Sequence, residues 1–227
     1  MLVDAIILTN SNTEKAIRST KRTMYTLRDS EVVHDFNIHL VESGPDNTNN
    51  YMGLVANYIK HNEPFNYNRS INHALPYLQG EWVIISNNDV GYEKGWFSEI
   101  IKVHEKRPDI QSFSPRDPML YMKYYDWHFI DSPSDYFESY IVTEAVQGWC
   151  IVIKRDAFNQ IIPFDETFDM YYQDNDYART IESKGIKHAL VRHSIATHLN
   201  TATVTKLDKA KMDKMQEDKI KFERKWI

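Results

Sequence analysis

Short apolar runs alternate with helical segments through the first half of the chain, and this order restricts the possible folds. A run such as 3–9 is unbroken and rich in β-branched residues, which is typical of a strand buried in a parallel sheet. Alternation of this kind predicts an α/β structure in which helices flank a mixed, mainly parallel central sheet. The predicted strands cover 3–9, 36–43, 54–61, 81–87 and 110–115, and the predicted helices lie within 11–28, 66–78 and 93–106.

The second half of the chain is less regular. Residues 116–142 are rich in aromatic rings without a clean period, which favours an irregular excursion over the sheet. Because no Pro- or Gly-rich linker interrupts the chain, we expect one domain over 1–227. The remaining predicted elements are a strand and short helix within 146–158, a helix over 174–185, a strand over 186–191 and an amphipathic helix over 205–227.

Composition excludes several classes of protein. The 227 residues carry a formal net charge of −5, so nothing global favours binding to nucleic acid or to an anionic membrane. The one cysteine, Cys150, excludes an internal disulfide and has apolar neighbours, so we expect a buried thiol. No basic leader precedes the first strand, and no apolar run approaches the ~20 residues of a membrane-spanning helix. We therefore expect a soluble, cytoplasmic protein.

Polar residues stand at the ends of three of the predicted strands. Thr9 ends the first strand, Glu42 ends the second, and Asn87, Asn88 and Asp89 end the run "VIISNNDV". In an open parallel sheet, ligands bind outside the carboxyl ends of the strands. The sequence therefore predicts that these side chains face one ligand-binding crevice.

The glycines limit which ligand this crevice can hold. None of the seven glycines forms a dinucleotide-binding G-x-G-x-x-G motif or a P-loop, so both sites are excluded. A diphosphate can instead be held through a divalent cation on an oxygen ligand, and Asp89 is a suitable carboxylate. The alternative is that Asp89 is an ordinary turn or helix-capping residue.

Eight segments stand in one order along nearly the whole chain: VDAIILTNSN, FNIHLVESGPDNT, EPFNYNRSINHAL, GEWVIISNNDV, GWCIVIKRDAF, IPFDETFDMYYQDNDYARTIESKG, HSIATHLN and FERKWI. In this order and spacing the sequence resembles the GT-A-fold glycosyltransferases of family 2, an inverting group that uses nucleotide sugars. The resemblance implies a nucleotide-diphosphate sugar donor, a glycan acceptor and a Mn²⁺ or Mg²⁺ cofactor. It also implies a nucleotide-sugar-binding half over 1–115, an acceptor-binding and catalytic half over 116–204, and a C-terminal helix over 205–227.

Two motifs depart from the family pattern. The usual Asp-x-Asp is Asn87-Asn88-Asp89, so one charged ligand remains, and this form resembles a rhamnosyltransferase-like subgroup. That similarity implies a UDP- or dTDP-linked donor, with a deoxyhexose such as rhamnose as a candidate sugar. The usual Glu-Asp before the catalytic helix is Gln173-Asp174, which retains the aspartate.

The resemblance assigns the chemistry to three side chains. Asp174 would be the catalytic base that takes the proton of the acceptor hydroxyl, and the alternative is a helix N-cap. Asp89 and His198 would be the metal ligands; the alternatives are a surface role for His198 and the nearby His193 as ligand. Asp176 is expected to pair with Arg179 on the same helix.

The remaining assignments concern the two substrates. Thr9, Glu42, Asn66, Asn87 and Asn88 would bind the nucleotide sugar, although Asn66 is equally suited to capping a helix.

Gly148 and Trp149 would face the acceptor, with Trp149 in the core as the alternative. The aromatic stretch 121–140 would either extend the acceptor site or pack on the sheet. The C-terminal helix would be a surface element or form a homodimer.

Two competing functions remain open from the sequence. One is a catalytically weak nucleotide-sugar-binding or sugar-binding protein of the same fold, which the intact Asp174 argues against. The other is a glycosyltransferase acting on modified DNA, which the acidic net charge disfavours.

Overall fold

A mixed β-sheet runs through the centre of the protein. The computed structural model describes residues 1–119, 134–169, 171–199 and 209–227. The strands follow the order β3-β2-β1-β4-β8-β6-β9-β5, and β7 pairs with β9 outside this order. Their bounds are β1 Leu2–Thr9, β2 Asp35–Glu42, β3 Asn57–Lys60, β4 Trp82–Asn87, β5 Val90–Tyr92, β6 Ile110–Arg116, β7 Tyr136–Glu138, β8 Cys150–Lys154 and β9 Lys187–His198.

Helices cover both faces of this sheet, which confirms the predicted α/β architecture. Successive residues of a strand point to opposite faces, so Ile7 packs into one apolar cluster and Ile6 into the other. The first cluster includes α1 and α4, and the second includes α3, α5 and α6. The helices are α1 Glu14–Asp29, α2 Thr48–Tyr51, α3 Tyr67–Ala74, α4 Trp96–Lys106, α5 Arg155–Phe158, α6 Gln173–Ser183 and α7 Lys209–Trp226.

The direction of the strands changes partway through the sheet. Strands β1, β2, β3 and β4 are parallel, as their unbroken apolar runs predict. Strand β8 then pairs antiparallel with β4, with Cys150 opposite Ser86. The beginning of β8 therefore lies beside the carboxyl end of β4. Cys150 itself is fully buried, as expected, and burial raises the pKa of its thiol to about 12.

Several predicted boundaries were wrong. The predicted helix over 93–106 begins only at Trp96, because the chain turns through Gly95, which takes the N-cap position in a left-handed conformation with φ 78°. The predicted strand over 54–61 shortens to β3, and the predicted helix over 66–78 ends at Ala74 and continues as a 3₁₀ turn containing Pro76.

Two further strands differ from the sequence prediction. The predicted strand over 186–191 continues to His198, with an irregularity in its pairing with β6. Part of the aromatic stretch forms β7, while residues 120–133 lie outside the described residues. The extension of β9 has the largest consequence for the predicted site, because it brings the end of this strand to the carboxyl edge of the parallel strands.

The C-terminal helix α7 packs against its own chain. The buried Asp218 carboxylate accepts hydrogen bonds from the backbone N–H groups of Asp169 and Tyr171 at 3.4 and 3.1 Å. The rings of Phe222 and Tyr172 lie 5.4 Å apart. The predicted first residues of this helix, 205–208, lie outside the described residues. Among the helices in the described parts of the chain, none is long and apolar enough to cross a membrane.

Candidate active site

The two predicted metal ligands lie together at the carboxyl edge of the sheet. Asp89 stands two residues after the end of β4, and the antiparallel pairing of β5 with β9 sets His198 opposite Val90. The Nε2 atom of His198 is 3.1 Å from Oδ1 of Asp89, and both side chains are largely buried. The competing histidine, His193, is mostly exposed and lies 3.9 Å from Asp135 instead. Asp89 and His198 therefore offer one carboxylate and one imidazole to a common point.

Three neighbours fix the position of His198. The indole of Trp149 stacks on the imidazole with ring centroids 5.5 Å apart and an interplanar angle of 7°. The Asn87 amide nitrogen lies 3.4 Å from Nε2. The backbone N–H of His198 donates to the buried Asp117 carboxylate at 2.9 Å. Sequence reasoning missed Asp117, because its role depends on a contact across 81 residues of chain.

Asp174, the predicted base, stands in the first turn of α6. The residue at the N-cap position is Tyr172, in a left-handed conformation with φ 66°, so Asp174 does not cap this helix. Oδ1 of Asp174 accepts hydrogen bonds from the backbone and side-chain nitrogens of Asn175 at 2.9 and 3.1 Å. Burial nevertheless raises the pKa of the Asp174 carboxyl above its usual value. The environment therefore makes Asp174 a stronger proton acceptor than an exposed aspartate.

Gly148 lies between Asp174 and the pair formed by Asp89 and His198. A Cβ atom at this position would lie 2.8 Å from Cβ of Asp174, so only glycine permits this close approach. The Tyr67 hydroxyl donates to the Gly148 carbonyl at 2.7 Å, which fixes the backbone. Since Trp149 follows Gly148 and stacks on His198, Asp174 is joined to the pair formed by Asp89 and His198 through two consecutive residues.

The predicted nucleotide-binding residues Thr9, Glu42 and Asn88 also meet at this edge. The Asn88 amide donates to the hydroxyls of Thr9 and Thr20, both at 2.9 Å. Oε1 of the fully buried Glu42 accepts from the backbone N–H groups of Ser11 and Gly44 at 2.9 and 2.7 Å. These contacts join the loops that follow β1, β2 and β4, so Glu42 and Asn88 act as scaffold for the crevice.

Gly44 allows the first two of these loops to approach each other. A Cβ atom there would lie 2.7 Å from the Asn10 side chain and 2.8 Å from Oε1 of Glu42. The Asn47 amide adds a bridge by donating to the Ser11 carbonyl at 2.8 Å.

The structure does not bring Asn66 to the crevice. Its Oδ1 accepts from the Arg69 N–H at the start of α3, and its Nδ2 donates to the carbonyls of Glu166 and Phe168 at 3.1 and 2.8 Å. With its side chain buried and its oxygen and nitrogen both engaged, Asn66 acts as a helix cap.

Asp176 does not pair with Arg179 as predicted. Arg179 instead pairs with Glu182 at 2.7 Å. The Asp176 carboxylate accepts from the Trp226 indole N–H at 2.7 Å and pairs with Lys225 at 2.8 Å. The C-terminal helix α7 is thereby attached to the helix that carries Asp174.

One buried polar group next to the base is unsatisfied. Gln173 is 8 % exposed, and its Nε2 atom has no hydrogen-bond partner among the described residues. Buried donors without a partner are rare in folded proteins. Gln173 therefore retains a hydrogen-bond donor beside Asp174.

Comparison with solved structures identifies the fold. The chain superposes on the crystal structure of GalNAc-T7 with UDP, GalNAc and Mn²⁺ with a TM-score of 0.64 and 12 % identity, covering 87 % of this chain and 44 % of the other. It superposes on the mannosyltransferase PcManGT from Pyrobaculum calidifontis, in complex with GDP-Man and Mn²⁺, with a TM-score of 0.62 and 15 % identity, covering 86 % and 56 %. The chain thus spans about half the length of these structures, and their likeness shows the GT-A fold.

Comparison at the level of sequence completes the assignment. No curated protein sequence matches this chain. The family model described as "Glycosyl transferase family 2" matches residues 11–162, a span that contains the crevice loops, Asp89 and Trp149 and covers more than half of the chain. The matched residues and the GT-A sheet around them show that the chain belongs to glycosyl transferase family 2.

Proposed function

We propose that this protein is an inverting, metal-dependent glycosyltransferase that moves a sugar from a nucleotide-diphosphate donor to a hydroxyl of a glycan acceptor. The observation that carries the proposal is the continuity of the site. Asp174 touches Gly148, Trp149 stacks on His198, and His198 lies 3.1 Å from Asp89. A base and a pair of metal ligands held by one rigid segment suit a reaction in which one bond forms as another breaks.

The donor side of the proposal rests on the loops around Glu42. Thr9, Asn87 and Asn88 line the end of the sheet where the nucleotide would lie, and Glu42 shapes that surface through the backbone. The two similar structures hold UDP and GDP-Man, which supports a nucleoside diphosphate donor here. We propose a UDP- or dTDP-linked sugar, with a deoxyhexose favoured by the Asn87-Asn88-Asp89 sequence.

The donor set at Asp89 and His198 fits a divalent cation. A carboxylate oxygen and an imidazole nitrogen 3.1 Å apart can both reach one ion. We propose Mn²⁺ or Mg²⁺, and the Mn²⁺ held by the two similar structures favours Mn²⁺. When bound, such an ion neutralises negative charge on the leaving diphosphate. Trp149 would keep the imidazole in the orientation needed for binding.

Asp174 would act on the acceptor. Its carboxylate takes the proton of the acceptor hydroxyl while that oxygen forms a bond to the anomeric carbon and the bond from this carbon to the diphosphate breaks. Because attack comes from the face opposite the leaving group, the anomeric configuration inverts. The raised pKa brings the base closer to neutral pH, where proton transfer is most effective. The unpaired Nε2 of Gln173 would donate to the acceptor beside it.

The proposal is tested by donor binding followed by product analysis. A thermal-shift panel of nucleotide sugars, with and without Mn²⁺, should show one donor that raises the melting temperature when Mn²⁺ is present. Asp89→Asn should abolish this Mn²⁺-dependent shift, and His198→Ala should weaken it less, because Asp89 and the phosphates remain.

The matched control is Asp156→Asn, which neutralises an exposed carboxylate in α5, and it should leave the shift intact. Proton NMR of the wild-type product should show an inverted anomeric configuration. A retained configuration would rule out the single displacement and the role of Asp174 as its base. Binding of a donor without any turnover would instead favour a sugar-nucleotide-binding protein.

Two other expectations remain proposals. The C-terminal helix α7 packs on its own chain, yet Met212 and Met215 stay substantially exposed and would form the contact of a homodimer. A cytoplasmic location would give the protein direct access to nucleotide sugars.

A further inference from the structure

A cluster of two histidines and one glutamate lies outside the crevice described above. His61 follows the edge strand β3, Glu63 stands two residues later, and His73 lies in the last turn of α3. Oε2 of Glu63 is 3.1 Å from Nδ1 of His61 and 3.7 Å from Nε2 of His73. One ligand atom from each of the three residues lies within 4.8 Å of the others. We propose that these three side chains bind a divalent transition-metal ion of the Zn²⁺ class.

The donor set decides which class of metal fits. Two imidazoles and one carboxylate form a common three-ligand set for Zn²⁺, with a fourth position left for water. Ligand atoms around a tetrahedral Zn²⁺ ion lie about 2.0–2.2 Å from the metal, so they are roughly 3.3 Å from one another. The distances from Glu63 to the two imidazoles, 3.1 and 3.7 Å, lie on either side of that separation. Mg²⁺ and Ca²⁺ prefer shells of oxygen, which this cluster does not supply.

A partner on the far side of the His61 ring supports the assignment. Metal-binding histidines usually use their second nitrogen in a hydrogen bond that fixes the orientation and tautomer of the ring. In this cluster, Nε2 of His61 lies 3.4 Å from the Ser70 hydroxyl, while Nδ1 faces Glu63. The ring is thus held with one nitrogen directed into the cluster.

His73 offers an unused nitrogen to the same point. Its Nε2 is shielded from solvent and has no hydrogen-bond partner among the described residues. The two imidazole rings stack with centroids 4.7 Å apart and an interplanar angle of 24°. Two stacked rings of this kind repel each other when both are protonated, but they can share a metal ion when both are neutral.

The surroundings of the cluster leave its ring nitrogens accessible to an ion. His61 is 6 % exposed. Lys60 directs its ammonium group to the His61 carbonyl and to Asn62, away from the ring nitrogens.

A metal ion bound here would join two elements at the edge of the sheet. Strand β3 has only four residues and pairs with one neighbour, β2, so its end has few other restraints. The His61 backbone N–H donates to the Glu42 carbonyl at 3.2 Å, which places the cluster beside the scaffold of the crevice. The ion would therefore fix the end of β3 to α3 without taking part in sugar transfer.

Zinc binding to the metal-depleted full chain tests this proposal. The background variant is Asp89→Asn with His198→Ala, which removes the other candidate metal site. With Zn²⁺ alone as the probe, this background should bind one equivalent and melt at a higher temperature. Adding Glu63→Gln and His73→Ala should weaken binding more than about 100-fold, since even outer-shell partners change metal affinity 10–100-fold. The matched control is His193→Ala, which removes an exposed histidine and should leave the stoichiometry unchanged.

A spectroscopic measurement on the background variant requires no change in the cluster. X-ray absorption of its zinc-loaded form should report two imidazole ligands and one carboxylate. Failure of the background variant to bind Zn²⁺, or an oxygen-only shell, would overturn the proposal. Equal binding after Glu63→Gln and His73→Ala would do the same. None of these measurements uses a nucleotide sugar, so their outcome is independent of the proposed glycosyltransferase activity.

Discussion

On the side of the crevice built from β1 and β2, the Glu42 carboxylate accepts hydrogen bonds from two backbone N–H groups of different loops. On the opposite side, the Asp174 carboxylate accepts hydrogen bonds only from its neighbour Asn175 among the described residues, apart from its own backbone. Glu42 is fully buried and bound to the fold, whereas Asp174 is only partly buried and is not bound in this way.

The difference distinguishes a carboxylate that stabilises the fold from one that is available for proton transfer. A buried carboxylate that accepts several N–H groups stabilises the segments it joins. A partly buried carboxylate with few partners, such as Asp174, keeps its capacity to accept a proton, and desolvation raises its pKa at the expense of stability. Residues of the second kind are expected at sites where function outweighs stability.

The largest effect is expected from a change that removes the proposed proton acceptor, Asp174. Asp174→Asn keeps the shape of the side chain and the contact with Asn175 but cannot take the acceptor proton. We expect turnover to fall by roughly 10²–10⁴ while donor affinity is unchanged. Steady-state kinetics with calorimetric donor titration would measure both quantities, with Asp156→Asn as the control. Full turnover in the Asp174→Asn enzyme would remove this residue from the mechanism.

The matching change on the scaffold side is Glu42→Ala. It leaves the N–H groups of Ser11 and Gly44 without their acceptor, at a cost of about 1–3 kcal/mol for each group that stays buried and unpaired. We expect the free energy of unfolding to fall and donor affinity to weaken, because the loops lose their alignment.

Glu42→Gln keeps one acceptor oxygen and serves as the control for this change. Urea denaturation should place its stability between those of the wild type and Glu42→Ala. If Glu42→Ala lost donor affinity with unchanged stability, Glu42 would be a direct ligand of the nucleotide, and the contrast with Asp174 would disappear.

Much of this contrast rests on features that local sequence patterns predict. The apolar runs indicate β1, β2 and β4, and the rule that ligands bind at the carboxyl ends of parallel strands brings Thr9 and Asn88 together. Both inferences need only the order of residues along a short segment.

Contacts between distant segments could not be predicted in this way. The register between β5 and β9 sets His198 beside Asp89, and no local period specifies which strands pair. Asp176 was assigned to Arg179 because that residue is near in sequence, whereas its partners lie about fifty residues away in α7. Asn66 likewise finds its carbonyl partners a hundred residues along the chain.

A third change tests whether the position of Asp174 depends on Gly148. Gly148→Ala would set a Cβ atom 2.8 Å from Cβ of Asp174, so the base must shift. A displacement of about 1 Å costs on the order of 10² in rate. We expect kcat to fall by about that factor with donor affinity retained. Gly91→Ala, where the nearest atom would be 4.0 Å away, is the control, and equal losses in both variants would contradict the positional explanation.

A smaller effect is expected from a change at the contact between the C-terminal helix α7 and α6, the helix that carries Asp174. Trp226→Phe removes the hydrogen bond from the indole N–H to Asp176 but leaves the ion pair with Lys225. We expect a loss of about 1.5 kcal/mol in the free energy of unfolding, the lower end for a hydrogen bond to a charged group. Chemical denaturation would measure it against Arg224→Ala, an exposed position in the same turn. Equal stability of the two variants would show that the bond contributes nothing.

The smallest expected effect is a gain in the stability of Asp174→Asn. The changes above lower turnover or stability, whereas this variant should have a higher free energy of unfolding than the wild type. Because burial raises the pKa of Asp174 in the folded chain, ionising this carboxyl destabilises the fold. That destabilisation is absent below the unfolded pKa of ~3.9, grows as the pH rises through the folded pKa and is complete above it. Asn carries no charge and keeps an oxygen for the Asn175 N–H, so the variant should be more stable than the wild type at neutral pH.

Urea denaturation of both proteins between pH 4 and pH 8 would measure this difference. The excess stability of Asp174→Asn should increase with pH and then level off, and Asp156→Asn should show no such increase. A stability gain that is independent of pH would point to packing as its cause. A loss at neutral pH would mean that the fold uses the Asp174 charge as it uses that of Glu42, and both carboxylates would then belong to the scaffold.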